Sequence, residues 1–289
     1  MARAARGFLR EQMEHPIWVT VIVNRLLGKP ALALLAALHI QPSSTEYPIP
    51  NHVSMEILVF LVSAIFFLWL RSRISADRPG GTQQCMEMLL TNGMGVGVND
   101  LLEESVGHGW EKYVPMIGSI GIFVLICNLI SLVPTLESPT AQVSVPLGCA
   151  VVVFVYYNWC GIVKHGLLGH GKHFLGPDLG MHWIVQVLFS ILMGAIESVS
   201  HLARLLSLTV RLWVNMLVSE MLYGMFLGLL LALYLYLAKI NVALQAFFVL
   251  PLLLPILFMV LHVFVAVLQA FVFTILPIIY VSGAVAEEH

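Results

Sequence analysis

The two most apolar stretches of this 289-residue chain carry side chains that can hold or repel a proton. The first stretch is Trp183–Ala238 and the second is Val242–Val281. A charged side chain at the centre of a membrane helix costs about 2.5–3.5 kcal/mol on insertion scales, so such residues usually have a function. The residues concerned are Glu197, Arg204, Arg211, Asn215 and Glu220 in the first stretch, and His262 and Gln269 in the second.

Helical geometry places the groups of the first stretch on two faces. At about 100° per residue, Glu220 points about 180° away from Arg211. Along the helix axis, Glu197 lies about 20 Å from Arg211 on one side and Glu220 about 13 Å on the other. The residues within about 40° of Arg211 are Glu197, Ser200, Arg204 and Asn215. The spacing therefore predicts one cation near the middle of a helix, with a carboxylate toward each end.

This arrangement suits an offset proton path. Carboxylates and imidazoles take up and release protons, and chains of Asp, Glu and His do so in membrane pumps. Arginine does not release its proton, because its pKa is above about 12. A guanidinium between two acidic sites would block direct proton passage and attract a carboxylate on a moving partner.

Simpler interpretations remain open for several of these residues. Glu197 and Arg204 could extend to the membrane interface without any further role. The other polar groups could form structural hydrogen bonds between helices, as Glu220 with His262 or Asn215 with Gln269.

The composition indicates that the membrane is the main solvent of this chain. Apolar residues make up 59% of the sequence and charged residues 10%, whereas soluble domains carry about 25% charge. The run Ile17–Ile40 is interrupted by polar residues and a proline, which favours a segment lying in the interface. Three further runs suit a bilayer core of about 30 Å: Met55–Leu70, Val114–Pro134 and Val143–Val163.

The last third of the chain predicts two unusually long helices. They would be roughly 80 and 60 Å long, well beyond the thickness of the bilayer. Each is either cut into vertical spans or strongly tilted, and we favour strong tilt. A short link at 239–241 is expected to join the two helices and to make 183–282 an antiparallel hairpin. Glu220 and His262 would then lie nearly level, so we expect a carboxylate beside an imidazole. The fold class predicted is an all-α integral membrane protein with about five membrane-crossing helices.

The charges outside these runs predict an orientation and exclude some functions. Basic residues at 71–78 and 164–172 favour the cytoplasmic side, and the loop at 136–142 the opposite side. Residues 1–52 are expected to form an interfacial or extracytoplasmic segment, separate from a membrane domain at 53–289. The histidines between 165 and 182 fit no metal-ligand pattern well and indicate a solvated loop. A net charge of −2 without a basic stripe gives no indication of nucleic-acid binding.

The sequence SLTVRLWVNM, at 207–216, resembles the signature of subunit a of the F-type ATP synthase. Four other blocks fit this family in the same order: NLISLVP, AIESVSHLARLLSL, NMLVSE and LHVFVAVLQAFVFTILPIIY. The weaker PGGTQQCME and the terminal EEH also fit, so the resemblance covers roughly 54–289. One departure is notable, because Trp213 and Val214 stand where the family usually has Phe-Gly.

The resemblance implies a membrane stator subunit of the F0 sector, with two offset proton half-channels against a ring of c subunits. It also implies an amphipathic surface helix beside the tilted hairpin. Arg211 matches the arginine that faces the ring carboxylate. Residues matching the half-channel open to the outside are Glu220, His262, Asn215 and Gln269. Residues matching the half-channel toward the cytoplasm are Glu197, Ser200 and His201.

The expected partners are the c ring, the b subunits of the peripheral stalk, the lipid bilayer and protons. A multi-pass protein of the bacterial inner membrane is implied, with no cofactor and no metal. No GxxxxGK[ST] motif occurs, so we expect a non-catalytic subunit. Ser207 and Leu208 are expected to face the ring.

Two other classes of protein fit the sequence less well. A secondary permease would show paired repeats or similarly interrupted helices, and neither is evident in the sequence. A structural scaffold would leave the cost of the charges in the apolar stretches unexplained.

Overall fold

The computed structural model describes residues 17–37, 39, 46–75, 79–91, 97–133, 136–175, 183–240 and 249–285. These parts of the chain contain helices and no strands. The eight α-helices are α1 (Trp18–Ala37), α2 (Asn51–Arg73), α3 (Gly81–Leu90), α4 (Val98–Val106), α5 (Val114–Leu129), α6 (Ser144–Leu175), α7 (Trp183–Ile240) and α8 (Val249–Val285). Short 3-10 turns lie at Trp110–Lys112, Ile130–Leu132 and Pro139–Ala141.

Six of these helices are long and apolar enough to cross a membrane: α1, α2, α5, α6, α7 and α8. The difference from the five expected crossings is α1. Its interruption by Asn24 suggested an interfacial segment, but the Asn24 amide is satisfied within the protein. Its Nδ2 donates to the Ile49 carbonyl at 2.9 Å, and its Oδ1 accepts from the Ile49 N–H at 2.9 Å. By length and composition α1 qualifies as a crossing helix, and its interfacial position stays a prediction.

The predicted runs correspond to observed helices, with shifted ends. Helix α2 extends beyond Met55–Leu70 at both ends, and α5 continues into the 3-10 turn that ends at Leu132. The apolar part of α6 reaches Gly166. At Gly166 the backbone has φ +73°, a left-handed conformation that interrupts the helical geometry and favours glycine.

The last third forms the two long helices that the sequence predicts. Helix α7 has 58 residues and α8 has 37, and the two pack against each other and against α6. The predicted link at 239–241 was placed too early, because α7 continues through Ile240. Asn241 and residues 242–248, with which the second helix was expected to begin, lie outside the described residues.

One buried face of α7 joins the other helices into a single core. The side chains of Leu208, Leu212 and Met216 are at most 1% exposed, and they belong to the central apolar cluster. Its largest fully buried partners include Ile117 and Val124 from α5, Tyr157 from α6, and Phe273 and Ile278 from α8. This face fixes the rotation of α7 and thereby the direction of its polar residues.

Two hydrogen bonds connect helices toward the two ends of the bundle. At one end, the Lys164 ammonium donates to the Val285 carbonyl, the last carbonyl of α8, at 2.6 Å. At the other end, the Trp213 indole N–H donates to the Ala141 carbonyl at 3.0 Å and holds the loop before α6 on α7. Tryptophan at position 213 therefore has a defined structural role.

The helices α5 and α8 are in close contact at Gly121. A Cβ at this position would overlap Thr274 Oγ1, which itself donates a hydrogen bond to the Ala270 carbonyl. Small residues allow membrane helices to approach in this way. Gly121 therefore sets the spacing of the two helices.

We expect Gly121→Ala to destabilise the bundle by about 1–3 kcal/mol, because the added methyl overpacks the contact with Thr274. Gly148→Ala is the matched control, since no atom lies within 4 Å of a Cβ there. Thermal unfolding of the purified complex in detergent measures both. The double variant Gly121→Ala, Thr274→Ala should recover most of the loss, and equal unfolding temperatures for the Gly121 and Gly148 variants would contradict this account.

Candidate functional site

A cavity of about 300 Å³ lies between α7, α8 and the segment that follows α5. We call it the Glu220 cavity. Its lining comprises Ser131, Leu132, Val133, Leu136, Glu137, Glu220, Tyr223, Leu227, Met259 and His262. The volume is sufficient for several water molecules, and its hydroxyl, carboxyl and imidazole groups can hydrogen bond to them.

The structure brings Glu220 and His262 to this one cavity, but not into direct contact. No ion pair joins them, because the imidazole is held by other groups. Its Nδ1 bonds to the Ser219 hydroxyl, and its Nε2 lies 2.9 Å from Ser131 Oγ and 3.3 Å from the Asn128 carbonyl oxygen. The expected neighbouring carboxylate and imidazole therefore line the same cavity without forming an ion pair with each other.

The Glu220 carboxylate is anchored by residues that the sequence analysis did not identify. Its Oε1 accepts the Ser138 backbone N–H at 2.8 Å. The Ser138 hydroxyl lies 2.6 Å from that of Thr140, which donates to Asn128 Oδ1 at 2.6 Å. The Asn128 amide in turn donates to the Ala266 carbonyl of α8 at 3.3 Å. A buried chain of hydrogen bonds thus connects the carboxylate to α5 and α8.

A second carboxyl group, that of Glu137, lies in the loop at the edge of the Glu220 cavity. Burial raises the pKa of the Glu137 carboxyl. It therefore retains a proton to a higher pH than a fully solvated glutamate does. This is a second proton-binding group beside Glu220.

The two amides of the predicted site form a pair between the long helices. Asn215 Nδ2 donates to Gln269 Oε1 at 3.0 Å, and Gln269 is fully buried. The departure at Trp213 and Val214 leaves this pair intact, because Val214 points outward and is 37% exposed. The bulkier valine therefore alters the surface of α7 near Arg211, not the contact between α7 and α8.

Arg211 lies on the exposed face of α7. Its guanidinium forms no hydrogen bond or ion pair with any residue that the structure describes. Ser207, one helical turn earlier, is exposed as well, whereas Leu208 is 1% exposed. The prediction that Leu208 shares the Arg211 face is therefore wrong, since its offset turns it into the core.

A second polar group, which we call the Glu197 cluster, lies at the end of the bundle where Lys164 of α6 contacts α8. It consists of Glu197, His201 and Arg204 from α7, Tyr157 from α6 and Tyr280 from α8. Glu197 Oε1 lies 3.2 Å from His201 Nε2 and 3.7 Å from an Arg204 nitrogen. The Arg204 guanidinium is also 5.5 Å from the centre of the Tyr280 ring. Ser200 is half-buried and forms no side-chain hydrogen bond to the described residues.

The cluster explains why Glu197 and Arg204 occur in an apolar stretch. The two side chains neutralise each other locally, and the aromatic ring adds a cation–π contact to the guanidinium. The idea that each extends separately to the interface does not account for these contacts. Among the described residues, no group of three or more His, Cys, Asp or Glu side chains could hold a metal ion.

Comparison with known proteins identifies the family. The family model described as ATP synthase A chain matches residues 53–282. The chain is 39% identical to ATP synthase subunit a of Koribacter versatilis over 96% of its own length and 100% of that protein. It is 40% identical to ATP synthase subunit a of Solibacter usitatus, over 84% of its own length and 90% of that protein.

A third relative extends the agreement to another bacterium. ATP synthase subunit a 3 of Pelobacter propionicus is 33% identical over 89% of this chain and 94% of its own. Each of the three matches covers at least 84% of this chain and at least 90% of the relative. This chain belongs to the ATP synthase A chain family and is a membrane component of ATP synthase that takes part in proton transport and ATP synthesis.

Proposed function

We propose that this chain is the stator side of two offset proton half-channels, working against a ring of c subunits in the F0 sector. The observation that carries the proposal is the exposed Arg211, which lies between two polar sites toward opposite ends of the bundle and has no ionic partner among the residues that the structure describes. An exposed cation in an apolar stretch is costly. A carboxylate on a ring passing this face would offset that cost.

In this proposal the Glu220 cavity opens to the outside of the cell. Protons from that side reach Glu220 and His262, and the Asn215–Gln269 pair lies between them and the Arg211 level. From there a proton passes to a ring carboxylate. The neutralised carboxyl group is then able to turn into lipid, because it no longer carries a charge into an apolar medium.

The Glu197 cluster receives the proton after nearly a full rotation of the ring. Arg211 favours the charged form of the arriving ring carboxylate, which releases its proton toward Glu197, Ser200 and His201. Each charge moved through the membrane field contributes about 2.3 kcal/mol per 100 mV. Several protons are therefore needed for each ATP, and their passage drives rotation.

The proposal assigns no catalytic step to this chain. Nucleotide chemistry belongs to other subunits, and the chain converts proton flow into rotation. Its proposed partners are the c ring and the b subunits of the peripheral stalk. Since the relatives are bacterial proteins, we place it in the bacterial inner membrane, with the basic residues at 71–78 and 164–172 on the cytoplasmic side.

Cysteine crosslinking tests whether the Arg211 face meets the ring. We expect a cysteine at Ser207 to crosslink efficiently with one on the carboxylate-bearing helix of subunit c, because Ser207 is exposed on that face. Leu208→Cys is the matched control, since Leu208 is next to Ser207 in the sequence but its side chain is buried in the core. Equal yields from the two positions, measured by gel mobility, would show that this face does not meet the ring.

A further inference from the structure

Tyr157, His201 and Glu197 form a continuous line of hydrogen-bonding groups within the Glu197 cluster. The Tyr157 hydroxyl lies 2.6 Å from His201 Nδ1, and His201 Nε2 lies 3.2 Å from Glu197 Oε1. Each ring nitrogen of His201 therefore faces a different partner. Exposure increases along the line, from a buried Tyr157 to side chains that are 12% exposed in His201 and 29% exposed in Glu197.

The chemistry of these partners selects one tautomer of the neutral imidazole. The ionised Glu197 carboxylate only accepts hydrogen bonds, so Nε2 must carry the hydrogen. Nδ1 is then an acceptor, and the Tyr157 hydroxyl is the donor that satisfies it. Such a partner on the second nitrogen is what fixes the tautomer of a histidine.

Aromatic packing holds Tyr157 in the position that this bond requires. Its ring stacks on the His201 ring at 5.6 Å and 29°, and it contacts Phe154 and Tyr280 at 5.5 and 5.7 Å. These contacts come from α6 and α8, so the imidazole is fixed by all three helices. Arg204 approaches the same carboxylate oxygen as His201 does, at 3.7 Å, so both residues orient the carboxylate.

We propose that Tyr157 is a positioning residue that holds His201 as the Nε2–H tautomer, and that His201 acts as a fixed donor to Glu197. The inference rests on the proposed function of the Glu197 cluster as the cytoplasmic half-channel. Within it, Glu197 is the group that accepts and releases the proton. His201 keeps the carboxylate oriented, and its own protonation state does not change during transfer.

Two substitutions at position 201 separate a fixed donor from a proton carrier. Glutamine has an amide N–H that donates to Glu197 and an amide oxygen that accepts from Tyr157, but it does not titrate. We expect His201→Gln to retain a large part of ATP-driven proton pumping in vesicles, and His201→Leu to reduce it severalfold. Pumping by the glutamine variant as low as that of the leucine variant would show that the imidazole carries the proton, and would overturn the proposal.

Removal of one hydroxyl tests Tyr157 itself. We expect Tyr157→Phe to reduce pumping severalfold. It should also change the ¹⁵N signals of the His201 ring in the labelled complex. These signals are assigned to His201 because they are absent from the spectrum of His201→Gln. Tyr156→Phe is the matched control, because that neighbouring hydroxyl interacts with Cys160 instead. Unchanged His201 signals in Tyr157→Phe, or equal pumping by the Tyr157 and Tyr156 variants, would overturn the proposal.

These measurements also distinguish this inference from the proposed function. Co-purification of the c ring reports assembly of each variant, and the nitrogen signals report the tautomer even in a variant that does not pump. Pumping by Arg211→Ala tests the proposed function in the same vesicles. If Arg211→Ala is inactive and Tyr157→Phe resembles wild type, the inference fails while the proposed function stands.

Discussion

Replacing either Glu220 or His262 by leucine is expected to slow proton passage through the Glu220 cavity strongly, and exchanging the two residues is expected to restore part of it. Both side chains line one cavity, so each supplies a proton-binding group to the same space. Leucine at position 220 would also leave the Ser138 N–H without its acceptor. A buried donor left unsatisfied costs about 1–3 kcal/mol.

The exchange variant retains both proton-binding groups in the cavity. A histidine at position 220 has a ring nitrogen that can accept the Ser138 N–H, and a glutamate at position 262 can accept from the Ser219 and Ser131 hydroxyls. Restoration should be partial, because a carboxylate at 262 would face the Asn128 carbonyl oxygen, another acceptor.

The rate of ATP-driven acidification of vesicles measures this prediction. Glu104→Leu is a suitable control, since that carboxylate is exposed on α4 and does not line the cavity. It should pump like the wild type. If Glu220→His, His262→Glu pumps no better than the slower of the two leucine variants, the two residues do not share a path.

The sequence predicts the helices well because the signal is strong and local. Nearly uncharged runs of the right length identify α2, α5 and α6, and the length of α7 follows from the scarcity of helix breakers in 183–238. Helical spacing alone predicts that Arg211 and Glu220 point in different directions. These features depend on neighbours within a few turns of one helix.

The parts that the sequence does not predict depend on contacts between distant segments. Tyr157 meets His201 across 44 positions, and Ser138 meets Glu220 across 82. In a chain that is apolar on nearly every face, periodicity does not show which face packs inward. For this reason Leu208 was assigned to the wrong side.

The surroundings of the first helix also depend on a contact between distant segments. Asn24 interrupts an apolar run, and sequence alone does not show that its amide bonds to the backbone of Ile49. The distinction between a polar residue at the interface and one satisfied inside the protein requires the partner to be known.

In the proposed mechanism, Arg211 separates two proton paths that meet only through the ring. Its guanidinium is exposed, unpaired with the described residues and permanently charged. We expect Arg211→Ala to leave assembly largely intact, because this side chain contributes nothing to the buried core. Without the cation, the ring carboxylate loses the group that favours its charged form between the two half-channels.

The most direct test is ATP-driven proton pumping in vesicles that contain the assembled complex, with c-ring co-purification as the assembly control. The account predicts that Arg211→Ala does not pump, and that Arg211→Lys recovers little, since a compact ammonium lacks the planar geometry of a guanidinium. Normal coupled pumping by the alanine variant would contradict the account.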